Sequence, residues 1–491
     1  MLGADDRVKN RLTFYRSIVL SEVPNKNREF QSGPSDTFHM NNILKYTGYL
    51  FFAAITTTAY VNCGRFSTQS SGSQDLLSSG GSLRTVWGDG WTGPDSPPQF
   101  GIYKSIPSNF NVEEHLIGRL GDRPEPDNPT LCGPGREGTG KPEGTSAFRF
   151  LCTPSHNLYD DPIVFLGRKG ASHLHTFFGN KKADANSTFE SLRKDGDSTC
   201  DGGPLNRSAY WMPAMMNGRG RVVMPDYVTV YYKRPPKDDP SCRSKGVDCV
   251  DLPRGLRMIF GYNMGRSFDS PQQLHAHWSC ENGALGADGK NEHDNIGDTM
   301  CPVGTRVGTG FSAPDCWDGK NLDSKDHRAH VVFANYDGND GILRCPTTHP
   351  HIIPTFTMKA WWSSDGPEQI RDWYLSSDRM PGMAPLPNGS TFHTDWFGAW
   401  DDDILKEWHE NAIEKYMSCN AGYMGSGRGL ARPADFKWAA DPHLVDPPMV
   451  TPAMKALQQK AMFEMHHVYD NEPGAEKVSP EHDHSKMHMH Q

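Results

Sequence analysis

Histidines occur in closely spaced pairs along this chain, which contains 21 histidines in 491 residues. His173 and His175 are separated by one leucine, and residues i and i+2 of a β-strand face the same side, so both imidazoles could bind one metal ion. Two ligands from one strand cannot complete a coordination shell, so we expect other segments to converge on this pair. The candidate ligands from those segments are His327, His330, His349, His393 and Asp395.

The ligand types suggest which metal would bind. Imidazole suits a divalent transition metal, and we expect zinc or copper. Only neutral imidazole binds a metal, so occupancy should fall as the pH drops through about 6–6.5, where an ordinary histidine becomes protonated. The alternative is that some of these histidines are structural and form hydrogen bonds in a Gly-rich, loop-rich fold.

Two aspartates near these histidines could take part in catalysis. Asp323 and Asp326 could orient an imidazole or activate a bound water, and we predict that they are the catalytic carboxylates. The alternative is that they only stabilise turns. Three tryptophans also have two possible roles. Trp317, Trp396 and Trp400 could stack on sugar rings in a groove, or they could lie in the core.

A second group of potential ligands lies at the C-terminal end of the chain. Imidazole and thioether together are typical of copper-binding sequences, and thioether sulfur favours Cu(I). The ligands of this tail are His482, His484, Met487, His488, Met489 and His490. We expect the tail to bind Cu(I) without help from the folded body. The alternative is a polar tail with no metal role.

The elements that position these residues are predicted to be short strands. Runs of β-branched and aromatic residues bounded by Gly, Pro, Asp or Asn predict strands in several places. These are Asp161–Leu166, Tyr227–Tyr232, Leu256–Phe260, His330–Phe333 and Ile352–Met358. Helical periodicity appears only later, at Asp402–Met417 and Pro452–Met465. The sequence therefore predicts a mainly β fold, a β-sandwich or jelly-roll-like domain with long loops, disulfides and C-terminal helices.

The N-terminal part of the chain predicts export. Residues 40–63 contain one lysine followed by an uncharged apolar run of about 16 residues, typical of a signal peptide. The run ends at Cys63, where a lipoprotein would be cleaved and attached to a membrane by lipid. We interpret residues 1–39 as a non-native upstream extension, 64–84 as a Ser/Gly-rich tether and 85–146 as a loop-rich lead-in. An uncleaved signal anchor and ordinary secretion are the alternatives.

Cysteine usage favours the same compartment, the cell envelope or the extracellular space. The chain has eleven cysteines, and without Cys63 the number is even and no Cys-x-x-Cys pair occurs. Up to five disulfides in an oxidising compartment are the simplest interpretation, and Cys242 and Cys249 are close enough to form one. The formal charge of −9 argues against a nucleic-acid partner.

Long sequence strings resemble a known family. Ser172-His-Leu-His-Thr-Phe-Phe-Gly-Asn180, Cys316-Trp-Asp-Gly-Lys-Asn-Leu-Asp-Ser324 and His393-Thr-Asp-Trp-Phe-Gly-Ala-Trp-Asp401 are similar to motifs of the DUF1996 family. The resemblance covers about residues 145–419 in order, which places the domain at 147–419 and a C-terminal extension at 420–491. It departs from the family pattern at Phe165-Leu-Gly, a loop position. The resemblance implies a secreted domain often found beside carbohydrate-related modules, and it implies no known activity.

Two functions of different classes follow from these observations. The first is a metal-dependent enzyme that acts on a polysaccharide, and it depends on the paired histidines, the nearby carboxylates and the tryptophans. The second is a non-catalytic cell-surface module that binds carbohydrate or metal, including copper through the tail. No recognised catalytic motif decides between them, so whether the protein is an enzyme stays open at this point.

Overall fold

Short strands joined by long loops build the fold. The computed structural model describes residues 97–117, 132–134, 146–336 and 342–470. The predicted signal peptide, Cys63, the tether and the His/Met-rich tail lie outside the described residues. Among the described residues, no helix is long and apolar enough to span a membrane.

The strands follow one another along the chain with few helices between them. In chain order they are β1 (Leu116–Ile117), β2 (Cys132–Pro134), β3 (Ser146–Cys152), β4 (Pro154–Leu158), β5 (His175–Gly179), β6 (Ala209–Pro213), β7 (Met215–Met216), β8 (Val222–Val223), β9 (Tyr227–Arg234), β10 (Asp248–Cys249), β11 (Arg257–Gly261), β12 (Ser279–Cys280), β13 (Arg306–Ser312), β14 (Cys316–Trp317), β15 (Val331–Val332), β16 (Asn335–Tyr336), β17 (Leu343–Arg344), β18 (His351–Ile352), β19 (Thr355–Ser363), β20 (Tyr374–Leu375), β21 (His393–Phe397), β22 (Met417–Cys419), β23 (Gly429–Leu430) and β24 (Leu444–Val445).

Helical segments are short except near the C-terminus. The α-helices are α1 (Phe189–Lys194), α2 (Pro367–Ile370), α3 (Asp402–Trp408) and α4 (Pro452–Asp470), and a π-helix continues α3 over His409–Ile413. Short 3₁₀ helices lie at Val112–His115, Gly203–Leu205, Pro240–Arg243, Ile296–Asp298 and Ser376–Arg379. The predicted C-terminal helices are therefore present, although the first is shorter than predicted because its last turn widens into the π-helix.

Two sheets make up most of the domain. One has seven strands in the order β12-β13-β19-β9-β3-β22-β2, and the other has five in the order β11-β21-β6-β5-β4. Aromatic rings from the two sheets pack together in the space between the sheets. The ring centroid of Trp396 in β21 lies 5.0 Å from that of Phe356 in β19 and 6.5 Å from that of Tyr232 in β9. Burial of these large rings between two sheets stabilises a sandwich-like core. The prediction of a mainly β, sandwich-like fold is confirmed.

The outer face of the five-stranded sheet is also buried. Phe177, Trp211 and Phe397 point away from the seven-stranded sheet, and Ile163, Ala183, Phe189 and Leu192 of the segment between β4 and β6 cover them. A second buried layer lets this face hold polar side chains away from water. The candidate metal site lies on this face.

The strand predictions differ from the structure in two places. Residues 162–167 form turns instead of a strand, because the Asp161 carboxylate accepts hydrogen bonds from the backbone N–H groups of Ile163 and Val164. The predicted strand Ile352–Met358 is divided into β18 and β19, and Pro354, which has no N–H to donate, lies at the break. The other predicted strands appear as β9, β11 and β15, with ends shifted by one to two residues.

Five disulfides link cysteines that are separated by between 7 and 287 residues along the chain. The pairs are Cys132–Cys419, Cys152–Cys200, Cys242–Cys249, Cys280–Cys301 and Cys316–Cys345. All ten cysteines after Cys63 are thus paired, and the predicted Cys242–Cys249 bond is confirmed. Such a disulfide content indicates an oxidising, exported environment.

Candidate metal centre

Three histidines meet on the outer face of the five-stranded sheet. His173, His175 and His393 each offer one ring nitrogen, and these atoms all lie within 4.8 Å of one another. The ring centroid of His173 lies 4.2 Å from that of His175 and 5.1 Å from that of His393. Within the described part of the chain, this is the group of His, Cys, Asp or Glu side chains with a spacing suited to a metal ion.

The register of the sheet brings two of these histidines together. His175 of β5 is paired with Pro213 of β6, and Asp395 of β21 is paired with Trp211 of β6. Because both pairings are antiparallel, His393 lies level with Pro213 on the far side of β6, in the same row as His175. His173 lies in a bend immediately before β5 and reaches the cluster from there. His173 and His175 therefore lie side by side as predicted, although only His175 belongs to strand β5.

In His175 and His393, backbone carbonyls determine which ring nitrogen is available to bind a metal. The Nδ1–H of His175 donates to the carbonyl oxygen of Asp160 at 2.9 Å, and the Nδ1–H of His393 donates to that of Thr391 at 2.8 Å. A carbonyl can only accept, so in each neutral ring the proton is on Nδ1 and the lone pair is on Nε2. Histidine ligands in metal sites are commonly oriented in this way.

The Nε2 lone pairs of His173 and His175 have no protein partner. The Nε2 atoms of His173 and His175 are buried and form no hydrogen bond. A buried polar atom without a partner costs about 1–3 kcal/mol, and a bound metal would remove this cost for both nitrogens. Three converging imidazoles, two of them with orphaned nitrogens, fit the ligand set of a transition metal such as zinc or copper.

Burial keeps these imidazoles neutral. Burial lowers the pKa of His175 to about 4 and that of His393 to about 3, and the nearby His175 ring contributes to the second shift. Burial and the neighbouring imidazoles also lower the pKa of His173 well below its ordinary value. The rings are therefore ready to bind a metal at neutral pH, and the expected acid limit of binding moves below the range of about 6–6.5 for an ordinary histidine.

A buried carboxylate lies beside the three histidines. One oxygen of Asp395, Oδ2, lies 3.9 Å from Nε2 of His393 and forms no hydrogen bond. Burial raises the pKa of Asp395 well above its ordinary value, and the nearby Asp161 raises it further. Asp395 is thus placed to act as a further ligand, as predicted from the sequence, or to accept a proton from a water molecule at the site.

The cluster opens into a cleft. This cleft includes His173, His393 and Asp395 in its wall. The other charged or titratable side chains in the wall are Asp161, Arg168, Tyr262, Lys325, Asp326, His327 and Arg328. Apolar side chains such as Val164, Phe165, Ile259 and Met380 complete it. A metal held by the three histidines would therefore have an open side toward this cleft.

His327 and Asp323 form a pair at the cleft. Nδ1 of His327 lies 2.9 Å from Oδ1 of Asp323, and the His327 backbone has a left-handed φ of 57°. Such a backbone conformation is costly for a residue with a side chain and often occurs at functional sites. Burial acts to lower the pKa of His327, but the Asp323 carboxylate outweighs it, so the pKa is raised. The structure thus places His327 in an aspartate–histidine pair in the wall of the cleft, outside the three-histidine group.

Besides His327, two further predicted ligands, His330 and His349, do not join the cluster. The ring nitrogens of His330 contact the Ser324 hydroxyl at 2.9 Å and the Arg257 carbonyl at 2.8 Å. Those of His349 contact the Thr348 hydroxyl and the Ala329 carbonyl, both at 2.9 Å. The predicted convergence of His330 and His349 on His173 and His175 is therefore wrong, because both nitrogens of each ring are engaged in other hydrogen bonds.

Asp326 lines the cleft but has a structural role as well. Its Oδ1 accepts hydrogen bonds from the Ser324 hydroxyl and from the N–H groups of Arg328 and Ala329. Burial acts to raise the pKa of Asp326, but these hydrogen bonds outweigh it and lower the pKa. The Asp326 carboxylate thus closes the turn that carries His327, which is the turn role given above as the alternative.

The predicted sugar platforms are core residues. Trp317, Trp396 and Trp400 are all buried, and Trp396 and Trp400 both lie within 6.5 Å of the Tyr232 ring inside the sandwich. They cannot stack on a ligand from solvent. The interpretation of these three tryptophans as core aromatics is therefore the correct one.

Several residues of the site were not predicted from the sequence. Asp160 and Thr391 orient His175 and His393 through their backbone carbonyls, and the residue types in the sequence do not reveal such backbone contacts. Asp161 was assigned to a strand, although the Asp-Asp-Pro string is a turn signal that could have identified it. Arg168, Lys325 and Arg328 reach the cleft only because distant loops meet there.

Comparison with known proteins identifies one relationship. Residues 161–400 match the model of a family described as Domain of unknown function (DUF1996). No curated protein and no solved structure matches this chain. All three histidines, Asp395 and the His327–Asp323 pair lie within the matched residues.

Proposed function

We propose that this protein, a member of the DUF1996 family, is an exported metal-dependent enzyme with a three-histidine centre. The family itself is described only as a domain of unknown function, so the proposal is argued from the site. One observation carries the proposal. The converging ring nitrogens of His173, His175 and His393 include two buried Nε2 atoms without a partner, and the cluster opens into a cleft. A metal bound by the three rings would satisfy both of these nitrogens.

His173, His175 and His393 would hold the metal, and zinc or copper fits the imidazole set. When bound, such a metal polarises a substrate oxygen or lowers the pKa of a bound water. The ligand count supports a catalytic centre, because three protein ligands leave a position open, whereas structural zinc sites have four. Asp395 would then accept a proton from a water molecule at the open position, because a fourth protein ligand would close that position.

The other titratable groups of the cleft would handle protons. The His327 imidazole, oriented by Asp323, can donate a proton to a leaving group because its pKa is raised above the ordinary value. Asp161 lies close enough to His327 and Asp395 to affect the pKa of each. In this assignment Asp323 is a positioning residue and His327 is the acid, instead of a metal ligand.

The substrate we propose is a polysaccharide outside the cell. A cleft with Asp, Arg, Lys and Tyr side chains beside apolar ones offers hydrogen bonds to hydroxyl groups and surfaces for sugar rings. Export is supported by the five disulfides. We further propose that lipid on Cys63 attaches the mature protein to a membrane, and loss of lipid labelling in a Cys63→Ser variant would support this attachment.

Metal stoichiometry tests the proposal. The exported full chain would be stripped with a chelator, reloaded with Zn(II) or Cu(II), and analysed for metal per chain. We expect His175→Gln and His393→Gln each to lose about one equivalent relative to wild type, since two imidazoles hold a metal much more weakly than three. The His/Met-rich tail is the same in all of these chains, so any metal that it binds does not affect the difference in metal per chain.

His330→Gln is the matched control. His330 is a buried histidine three residues after His327, but both of its nitrogens already have protein partners. We expect this variant to retain the equivalent that the other two lose. Equal metal content in all four chains would contradict the three-histidine centre.

A ligand-exchange measurement separates the enzyme from a non-catalytic binding module. Azide added to the Cu(II)-loaded protein should change its visible spectrum if a coordination position is open toward the cleft. A loaded protein whose spectrum does not respond to azide would favour static metal binding.

A further inference from the structure

The C-terminal helix α4 packs against the segment that leads into the candidate metal centre. Ala461 of the helix is buried together with Phe165 and Ala171. Met454, seven positions and about two turns earlier, lies against Gly170. One face of the helix is therefore in contact with residues 165–171 of the chain.

A buried hydrogen bond lies between these two contacts on the same helical face. Nε2 of Gln458 donates to the carbonyl oxygen of Ser172 at 3.0 Å, and both residues are buried. The backbone N–H of Ser172 donates to the carbonyl oxygen of Tyr159 at 3.0 Å. Both backbone polar groups of the residue immediately before His173 are thus engaged, and helix α4 supplies one of the two partners.

His173 depends on its backbone for its position more than the other two histidines do. The rings of His175 and His393 are each oriented by a hydrogen bond from Nδ1–H to a backbone carbonyl. His173 instead lies in a bend outside the strand, and its Nε2 has no partner among the described residues. The backbone that places this ring is the backbone that Gln458 holds.

We propose that helix α4, through Gln458, holds His173 in the position that completes the three-histidine centre. The inference rests on the proposed function and deepens it by naming Gln458 as a positioning residue of that centre. Gln458 acts through Ser172 and does not bind the metal itself. Supporting hydrogen bonds around a metal site typically contribute about 10–100-fold to metal affinity.

The helix that supplies this support lies outside the part of the chain that resembles known sequences. The family model matches residues 161–400, and helix α4 spans Pro452–Asp470. All three histidines lie inside the matched residues, whereas the side chain that supports His173 lies beyond them. The third ligand of the centre is therefore positioned by a C-terminal element that the family match does not include.

Such a coupling must act in both directions. If the attached helix raises the affinity of the centre for a metal, then a bound metal must hold the helix more tightly by the same factor, because the two equilibria are linked. Metal binding by His173 should therefore oppose local detachment of helix α4. The helix thus reports whether His173 is bound to a metal.

Metal affinity of two matched glutamine variants tests the positioning role. Gln458→Leu removes the hydrogen-bond donor with little change in size, and Gln459→Leu makes the same change at the next residue, which is exposed. Zn(II) competition with a chelator measures affinity in the exported full chain. A variant with His173, His175 and His393 all changed to Gln defines any metal bound elsewhere. We expect Gln458→Leu to weaken the centre by about tenfold and Gln459→Leu to leave it unchanged.

The Cu(II) form provides a readout that a loss of stability alone would not change. Pulsed EPR counts the imidazoles bound to Cu(II), after subtraction of the signal from the variant that lacks all three histidines. We expect three imidazoles in wild type and in Gln459→Leu, but two in Gln458→Leu at saturating copper. A variant that was only less stable would still bind copper through three rings in its folded fraction.

Hydrogen exchange tests the reverse direction without any substitution in the helix. We expect Zn(II) to slow exchange of the backbone amides of helix α4 by about tenfold in wild type, because detachment of the helix would weaken the bound metal. The same amides should not respond to Zn(II) in His173→Gln, where the metal no longer engages this segment. This comparison decides the question even if Gln458→Leu does not fold.

The failure of this inference and the failure of the proposed function give different results. Three bound imidazoles with unchanged affinity in Gln458→Leu, equal weakening by Gln459→Leu, or exchange in helix α4 that ignores metal in wild type would overturn the positioning role. Each of these results leaves the centre intact. Equal metal binding by wild type and by the variant that lacks all three histidines would instead overturn the centre and, with it, the inference.

Discussion

At the scale of single residues, the protonation state of three imidazoles determines whether a metal can bind. Hydrogen bonds to the carbonyls of Asp160 and Thr391 hold the protons of His175 and His393 on Nδ1, and burial disfavours a second proton. The same burial that prepares the ligands makes the metal-free fold sensitive to acid.

We expect the metal-free protein to lose stability as the pH falls from about 6.5 to 4. His175 has a pKa of about 4 in the folded chain and 6.5 as an ordinary histidine. Between these values the unfolded chain binds the extra proton and the folded chain does not, so unfolding becomes more favourable as the pH decreases. At 1.4 kcal/mol per pH unit, His175 alone accounts for about 3 kcal/mol across this window.

Denaturant unfolding of the chelator-treated protein at pH 7, 5.5 and 4 measures this dependence. His175→Gln cannot take up the proton, so its free energy of unfolding should decrease less between pH 6.5 and 4. The two chains would have the same pH dependence if His175 were not buried in its neutral form. Above pH 7 the contribution of His175 is complete, and no further gain is expected there.

Asp395 should contribute to metal binding at the expense of stability. Its Oδ2 is buried without a hydrogen bond, and a desolvated carboxyl oxygen of this kind costs about 1–3 kcal/mol. Asp395→Asn removes the potential charge and should raise the thermal midpoint of the metal-free protein by about 2 °C. The same change should weaken metal binding by about 10–100-fold, since carboxylates next to metal ligands typically contribute this much.

Calorimetry with and without metal separates the two effects of Asp395→Asn. A lower midpoint together with unchanged metal affinity would mean that Asp395 supports the fold and not the metal site. Asp323→Asn is a useful comparison, because Asp323 lies outside the three-histidine group and already has hydrogen-bond partners.

At the scale of elements, the close approach of β11 and β21 positions His393. Gly261, the last residue of β11, is paired with His393 and has a left-handed φ of 93°. A Cβ atom on Gly261 would lie 2.6 Å from the Phe311 ring and 2.9 Å from the carbonyl oxygen of Phe392. Only glycine fits at this position without displacing the strand that carries His393.

Gly261→Ala should therefore lower both stability and metal content. Strain at a left-handed position costs about 1–3 kcal/mol, and displacement of Phe392 moves the adjacent His393 out of register with His175. Metal analysis and thermal unfolding of the exported variant measure the two losses. Gly220→Ala is the control, since Gly220 has a similar φ of 86° but no atom within 4 Å of the position that a Cβ would occupy, so it should lose stability but keep the metal.

At the scale of the whole molecule, the disulfides differ in what they constrain. Cys132–Cys419 links β2 to β22 across 287 residues, whereas Cys242–Cys249 closes a loop of seven. In the chain-entropy description, the stabilisation grows with the logarithm of loop length, which gives the long loop an advantage of about 3 kcal/mol. The cysteines of both pairs are buried, so their packing contributions are comparable.

Paired alanine substitutions compare these two bonds. Cys132→Ala with Cys419→Ala should lower the free energy of unfolding in guanidinium by about 3 kcal/mol more than Cys242→Ala with Cys249→Ala. Similar losses for the two pairs would indicate that the unfolded chain is already restrained near Cys132 and Cys419 by other means.

Local properties of this protein follow from its sequence alone. Alternating β-branched and aromatic runs such as Tyr227–Tyr232 predicted the strands, because side-chain packing on a pleated sheet is a local preference. The even number of cysteines after Cys63 predicted up to five disulfides, and the structure contains five. The i, i+2 spacing of His173 with His175 and of His393 with Asp395 predicted that each pair would act together, because side chains two residues apart in an extended segment stay close.

Which of these pairs meet depends on the tertiary structure. The register of β5, β6 and β21 placed His175 and His393 in one row, whereas the carbonyls of Arg257 and Ala329 engaged His330 and His349 elsewhere. Contacts between segments that are far apart along the chain depend on sheet order and on which hydrogen-bond partners lie nearby. Neither can be deduced from spacing along the chain. The same reason explains why Arg168, Lys325 and Arg328, which carry no signal of their own in the sequence, line the cleft beside the histidines.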